Sequence, residues 1–162
     1  MNPIDAIGIE ALVLRLSVAT LVGAAIGLNR ELHDKPAGLR THALVTLGAA
    51  IVAMVTLQPQ GAGALPDPGA IGRVIQGVLT GIGFIGAGVI LRDMSGHVSG
   101  LTTAATIWVC AAIGILCGLG YWSIVVISLL LVLAVLVLGR FVEHIAERVY
   151  KRVLGKPPDH MV

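Results

Sequence analysis

The sequence predicts an all-α membrane protein: a polytopic bundle of five transmembrane helices, with the N-terminus outside and the C-terminus cytoplasmic. Three observations lead there. AVILMFWYC residues make up 56% of the 162-residue chain and only 12% of residues are charged, about half the charged share of an ordinary soluble domain. Mean hydropathy is +0.93. The apolar residues gather into runs long enough to cross hydrocarbon, and most basic residues gather at one set of run ends.

The first run spans Ile9 to Leu28. It follows Asp5 and not a basic stretch, so it reads as a retained anchor and not a cleaved signal. The second runs from Leu39 to Leu57, followed by a Gly- and Pro-rich loop from Gln58 to Ala70. The third is Gly72 to Leu91 and the fourth Leu101 to Cys117. Gly118 to Tyr121 is short enough for a tight turn only, and the fifth run is Trp122 to Leu138. Each run has about 17–20 residues, near the length that a ~30 Å hydrocarbon core requires of a helix. Without water, a spanning segment must satisfy its own backbone, which a helix does and an open strand does not. Residues 1–138 therefore form the transmembrane domain and 139–162 a basic cytoplasmic tail. In that tail Phe141, Ile145 and Val149 keep helical spacing. It reads either as a continuation of the fifth helix or as an amphipathic helix on anionic lipid, ended by Pro157 and Pro158. Cys110 and Cys117 lie about 10 Å apart along one helix, beyond the ~7 Å reach of a disulfide.

Charge sets the orientation. Arg30, Lys35, Arg40, Arg92, Arg140, Arg148, Lys151, Arg152 and Lys156 fall on one side if every run spans. Asp5, Glu10 and Asp67 fall on the other, with Arg15 and Arg73 just inside the helix ends there. The positive-inside rule puts the basic side in the cytoplasm, and Tyr121 and Trp122 then sit at the outer interface.

Two polar groups stand out, because ionisable side chains near lipid are costly. An inner cluster comprises Arg30, Glu31, Arg40, Thr41, His42, Arg92, Asp93, Thr102 and Thr103; the alternative for its loop members is simple solvation. An outer group comprises Arg15, Asp67, Arg73 and Gln76, with Arg15 either snorkelling or pairing with a carboxylate. The threonines opening the fourth run can instead bond their own helix carbonyls. The glycines Gly23, Gly27, Gly77, Gly81, Gly83, Gly86 and Gly88 read as helix-packing positions, within one chain or between chains. A broken, carbonyl-exposing helix is the sharper alternative for the third run.

The stretches IGLNREL and KPAGLRTHALVTLGA, followed by RVIQGVLTGIGFIGAGVIL and GLTTAATIWVCAAIG, resemble the signature of the MgtC/SapB family of bacterial membrane proteins. The matched blocks span about Leu12 to Tyr121 in order. The resemblance implies a bacterial inner-membrane location, a link to growth under magnesium limitation and, in pathogens, to survival inside macrophages. Long family members also carry a soluble C-terminal domain; about two dozen residues follow Leu138 in this sequence, so a short form without that domain is expected. Motif positions carried over are Arg30, Glu31, Lys35, Pro36, Gly38, Arg40, Thr41 and His42. Later blocks add Asp67, Arg73, Gln76, Gly81, Gly83, Gly86, Gly88, Gly100, Thr102, Thr103 and Trp108.

Two functions compete. One is a non-enzymatic modulator of another membrane protein; the other is an oligomeric small-ion transporter or channel, with Mg²⁺ a candidate. No Asp or Glu lies mid-span, whereas a Mg²⁺ path favours carboxylates and retained water. Neither H-E-x-x-H nor G-x-S-x-G occurs, so no enzyme, catalytic residue or cofactor is expected. The expected partners are the lipid bilayer and a second copy or another membrane protein; nucleic acid is not expected.

Overall fold

A computed structural model describes residues 7–57, 68–92 and 98–154. Five helices account for nearly all of them: α1 (Ile9–Glu31), α2 (Leu39–Val55), α3 (Pro68–Val89), α4 (Leu101–Leu119) and α5 (Trp122–Leu154). A minimal antiparallel pair, β1 (Leu91–Arg92) and β2 (Val98–Ser99), joins α3 to α4 with Leu91 opposite Ser99. α1, α3, α4 and α5 are long and apolar enough to cross a membrane, and α2 is a shorter apolar helix. Large apolar side chains face outward all along the bundle, with Phe84 86% and Val135 70% exposed. Outward greasy faces suit hydrocarbon as the surrounding solvent.

The boundaries differ from expectation where polar groups find partners. α1 runs on to Glu31 because Arg30 and Glu31 are both bonded within the fold. α3 starts at Pro68, whose missing N–H costs nothing in a first turn. It stops at Val89 because Leu91 and Arg92 pair as a strand. α4 reaches Leu119 and closes through Gly120 at φ 83°. There Gly120 N–H donates to Leu116 and Cys117 and Tyr121 N–H to Leu116, a Schellman closure. α5 runs unbroken for 33 residues, about 50 Å at ~1.5 Å per residue. Of the two readings of the tail, continuation of the fifth helix is the one observed.

α1, α2 and α4 form a tight trio. α1 is antiparallel to the other two, while α2 and α4 run parallel, so His42 meets Thr106 at one end and Ala50 meets Gly118 towards the other. Glycine makes this closeness possible. A Cβ on Gly27 would lie 2.6 Å from Leu39 Cα, and one on Gly23 2.8 Å from Ala43 Cα. A Cβ on Gly114 would lie 2.9 Å from Ala49 Cβ, and one on Gly118 3.0 Å from Ala50 Cα. The core between these helices is Ala19, Val22, Ile26, Ala50, Cys110, Ile113 and Cys117, joined by Val125 and Leu136 of α5. Both cysteines are buried and free. α3 packs on α4 through Ile75, Val78 and Ile82 against Ala111 and Ile115.

The α3 glycines behave differently from those of α1. Among the described residues, nothing lies within 4 Å of a Cβ built on Gly77, Gly81, Gly83 or Gly88, and Gly86 meets only Ala104 Cβ at 3.6 Å. The physical reason is register: Ile75, Val78 and Ile82 take the face that meets α4, which turns most of the glycines outward. Close packing within the chain belongs to Gly23, Gly27, Gly114 and Gly118.

Candidate functional site

Polar side chains converge at the end of the bundle where α1 stops and α2 and α4 begin. Arg30 is only 3% exposed, and its Nη2 donates to Thr103 Oγ1 at 2.6 Å. Among the described residues its Nε has no hydrogen-bond partner. His42, fully buried, donates from Nδ1 to the Gly38 carbonyl at 2.9 Å. In the neutral ring Nε2 is then an acceptor, 3.2 Å from Thr106 Oγ1. The same hydroxyl is 2.9 Å from the Thr103 carbonyl, so one hydrogen serves two acceptors. Thr46 closes the set by donating to the His42 carbonyl. α2 thus places His42 and Thr46 one turn apart, with the His42 ring reaching Thr106 of α4 and the Thr46 hydroxyl lying against Gly23 of α1.

The expected nine-residue cluster does not form a single group. Arg30, His42 and Thr103 converge in the buried part. Glu31 turns away and accepts the Leu39 N–H at 2.9 Å, placing a carboxylate at the N-terminus of α2, where the helix dipole favours it. Arg40, exposed, and Thr41, half-buried, line a shallow surface hollow with Glu31. Thr102 is exposed on the first turn of α4. Arg92 lies in β1, and Asp93 falls outside the described residues.

Beside the buried set lies a cleft of about 390 Å³ between the end of α1, the α1–α2 connection, the start of α4 and the middle of α5. Arg30, Lys35, Arg140, Thr102 and Thr103 line it, with Asp34 as its one carboxylate among the described residues. Arg140 Nη2 donates to Asn29 Oδ1 at 2.9 Å, tying α5 to α1. Sequence reasoning placed Arg140 only among the orienting charges and did not single out Asn29 or Thr46 as site residues; Thr106 is one of the threonines that open the fourth run, and it bonds both its own helix carbonyl and His42 of α2. The available signal was the run of polar positions at helical spacing, His42 with Thr46 and Thr103 with Thr106, inside otherwise apolar helices.

At the other end, Arg15 meets no carboxylate among the described residues; its Nη1 donates to the Gly118 carbonyl at 2.7 Å. A cation there complements the C-terminus of α4. Arg73 and Gln76 are exposed on α3, and Asp67 lies outside the described residues. Among the described residues, no group of three or more His, Cys, Asp or Glu side chains is gathered to hold a metal ion.

A helix bundle with an apolar exterior, helices closely packed at glycines and a cationic cleft at one end has the build of a membrane protein. The chain matches the MgtC family over residues 16–145 and belongs to it. It is 48% identical over 117 residues to protein SrpB of Synechococcus elongatus, covering 68% of this chain and 64% of that one. It is 41% identical over 128 residues to protein MgtC of Salmonella typhimurium, covering 79% and 52%. It is 39% identical over 127 residues to protein SapB of Bacillus subtilis, covering 75% and 53%. The alignments thus cover between about half and two thirds of these relatives' lengths. No solved structure matches the chain.

Proposed function

We propose that the chain is a non-enzymatic, multi-pass protein of the bacterial inner membrane that modulates other membrane proteins and so ion homeostasis, above all under magnesium limitation. Its basic end is cytoplasmic in this reading and its N-terminus outside. The observation that carries the proposal is the closed centre of the α1/α2/α4 trio, where Gly23, Gly27, Gly114 and Gly118 bring helix backbones together. Close packing at these positions argues against an ion path between those helices, and the basic side chains buried there among the described residues, Arg30 and His42, are not accompanied by buried carboxylates. A hydrated divalent cation seeks oxygen ligands, carboxylates above all. Membership in the MgtC family supports the magnesium link.

An oligomeric small-ion transporter, with Mg²⁺ as cargo, is the second reading. What favours it is the outward glycine face of α3, where a second copy could pack and build a path between protomers. Purified protein in liposomes loaded with a Mg²⁺-sensitive dye separates the two. The modulator reading expects no selective flux, together with a membrane protein that co-purifies reproducibly from native membranes. Selective flux lost on Arg40→Gln or Thr102→Val would replace it with transport.

A further inference from the structure

The cleft at the basic end has the chemistry of an anion site. Three cations, Arg30, Lys35 and Arg140, face one carboxylate, Asp34. Arg30 and Arg140 lie close enough to repel each other, although each is pinned by a neutral partner, Thr103 and Asn29. Placing two guanidinium groups side by side is unfavourable unless an anion sits against both. Arg30 is nine-tenths buried and more, and its Nε has no partner among the described residues. A buried, unmet guanidinium donor is costly, and an anion in the cleft beside the same guanidinium offsets part of that cost through its charge.

The start of α4 adds to this independently. Gly100 sits at φ 88°, and a Cβ there would run into the Val89 carbonyl. Glycine is therefore required, and glycine brings no side chain to cap the helix, so α4 begins with no side-chain cap. Among the described residues, the Ala104 N–H alone is met locally, by the Gly100 carbonyl. The first turn thus borders the cleft with uncapped N–H groups and with the Thr102 and Thr103 hydroxyls, at the positive end of the helix dipole.

We propose that this cleft binds a phosphate-class oxyanion, with Arg30, Lys35 and Arg140 supplying charge and the first turn of α4 supplying hydroxyl and backbone donors. The phosphate is either that of an anionic lipid headgroup or a free phosphate; the shared chemistry is a compact oxyanion with several acceptor oxygens. Binding here does not depend on the modulator reading, because it is measured on the isolated chain.

The test uses the purified full chain in detergent. One arm titrates inorganic phosphate calorimetrically. The other counts phosphatidylglycerol against phosphatidylcholine retained in native mass spectra after extraction from vesicles of the two. Saturable phosphate binding identifies the free ion; preferential retention of phosphatidylglycerol without it identifies the headgroup. In either case Lys35→Gln and Arg140→Gln each weaken binding about tenfold, the loss of one charge-assisted hydrogen bond. Arg148→Gln, the same charge change further along α5 and outside the cleft, leaves it unaltered. If Arg140→Gln fails to fold, the exposed Lys35→Gln and Thr102→Val carry the comparison. Absence of both bindings in the parent chain, binding indifferent to the cleft variants, or an equal loss with Arg148→Gln each overturns the proposal.

Discussion

Thr103 is the acceptor that holds the Arg30 guanidinium inside the bundle. Thr103→Val leaves a second donor of that buried cation unmet, so it should lower stability by about 1.5–3 kcal/mol, the range for hydrogen bonds to charged groups. Thr103→Ser keeps the oxygen and should stay near the parent value. Unfolding of detergent-solubilised protein by increasing SDS measures both. Arg15 does the corresponding work at the opposite end of the bundle, and Arg15→Met should cost about 1 kcal/mol by uncovering the Gly118 carbonyl and removing a cation from the α4 C-terminus. Which partner each charged residue takes was not legible in the sequence. Arg30, His42 and Thr103 are recognisable as polar groups placed where lipid would penalise them. That Glu31 serves the α2 N-terminus and Arg140 reaches Asn29 depends on helix rotation and register, which a single sequence does not specify.

At the scale of the helix, identical residues have different consequences. Gly23→Ala and Gly114→Ala push a methyl group into the backbone of α2, so each should destabilise the protomer by about 1–3 kcal/mol. Gly81→Ala meets open space and should be neutral or stabilising by up to about 1 kcal/mol, since alanine is the better helix former. The same SDS titration separates them, and equal losses at Gly81 and Gly23 would contradict the packing described. The spans themselves were legible to within a few residues in most cases, because a run of apolar side chains is what hydrocarbon selects for. The glycine partners were not. Gly77 and Gly81 have the same four-residue spacing as Gly23 and Gly27, and the difference lies in which neighbour each face meets. The extent of α5 was only half legible: hydropathy falls after Leu138 while the helix continues to Leu154.

For the molecule as a whole, orientation is the property most open to direct measurement. With the basic end cytoplasmic, a cysteine introduced at Gly63 reacts with an impermeant maleimide on intact cells. One at Lys156 reacts only after permeabilisation, and the reverse pattern would invert the bundle. The expected sidedness rests on a count of charges over loop positions and needs no knowledge of contacts. The spatial centre of the bundle was not readable. α4 packs against α1, α2, α3 and α5 and carries more buried residues than any other helix described.

α4 also leaves the ribosome after α1, α2 and α3. Until it arrives, the α1–α2 hairpin already holds Arg30 and the ring of His42, with Thr103 and Thr106 still unsynthesised. A nascent chain stopped after Val89 must therefore keep these groups in the insertion machinery, in water or against a surrogate helix. Such arrested chains should be degraded faster than chains released after Leu119, which makes biogenesis, and not only the finished fold, dependent on one late segment.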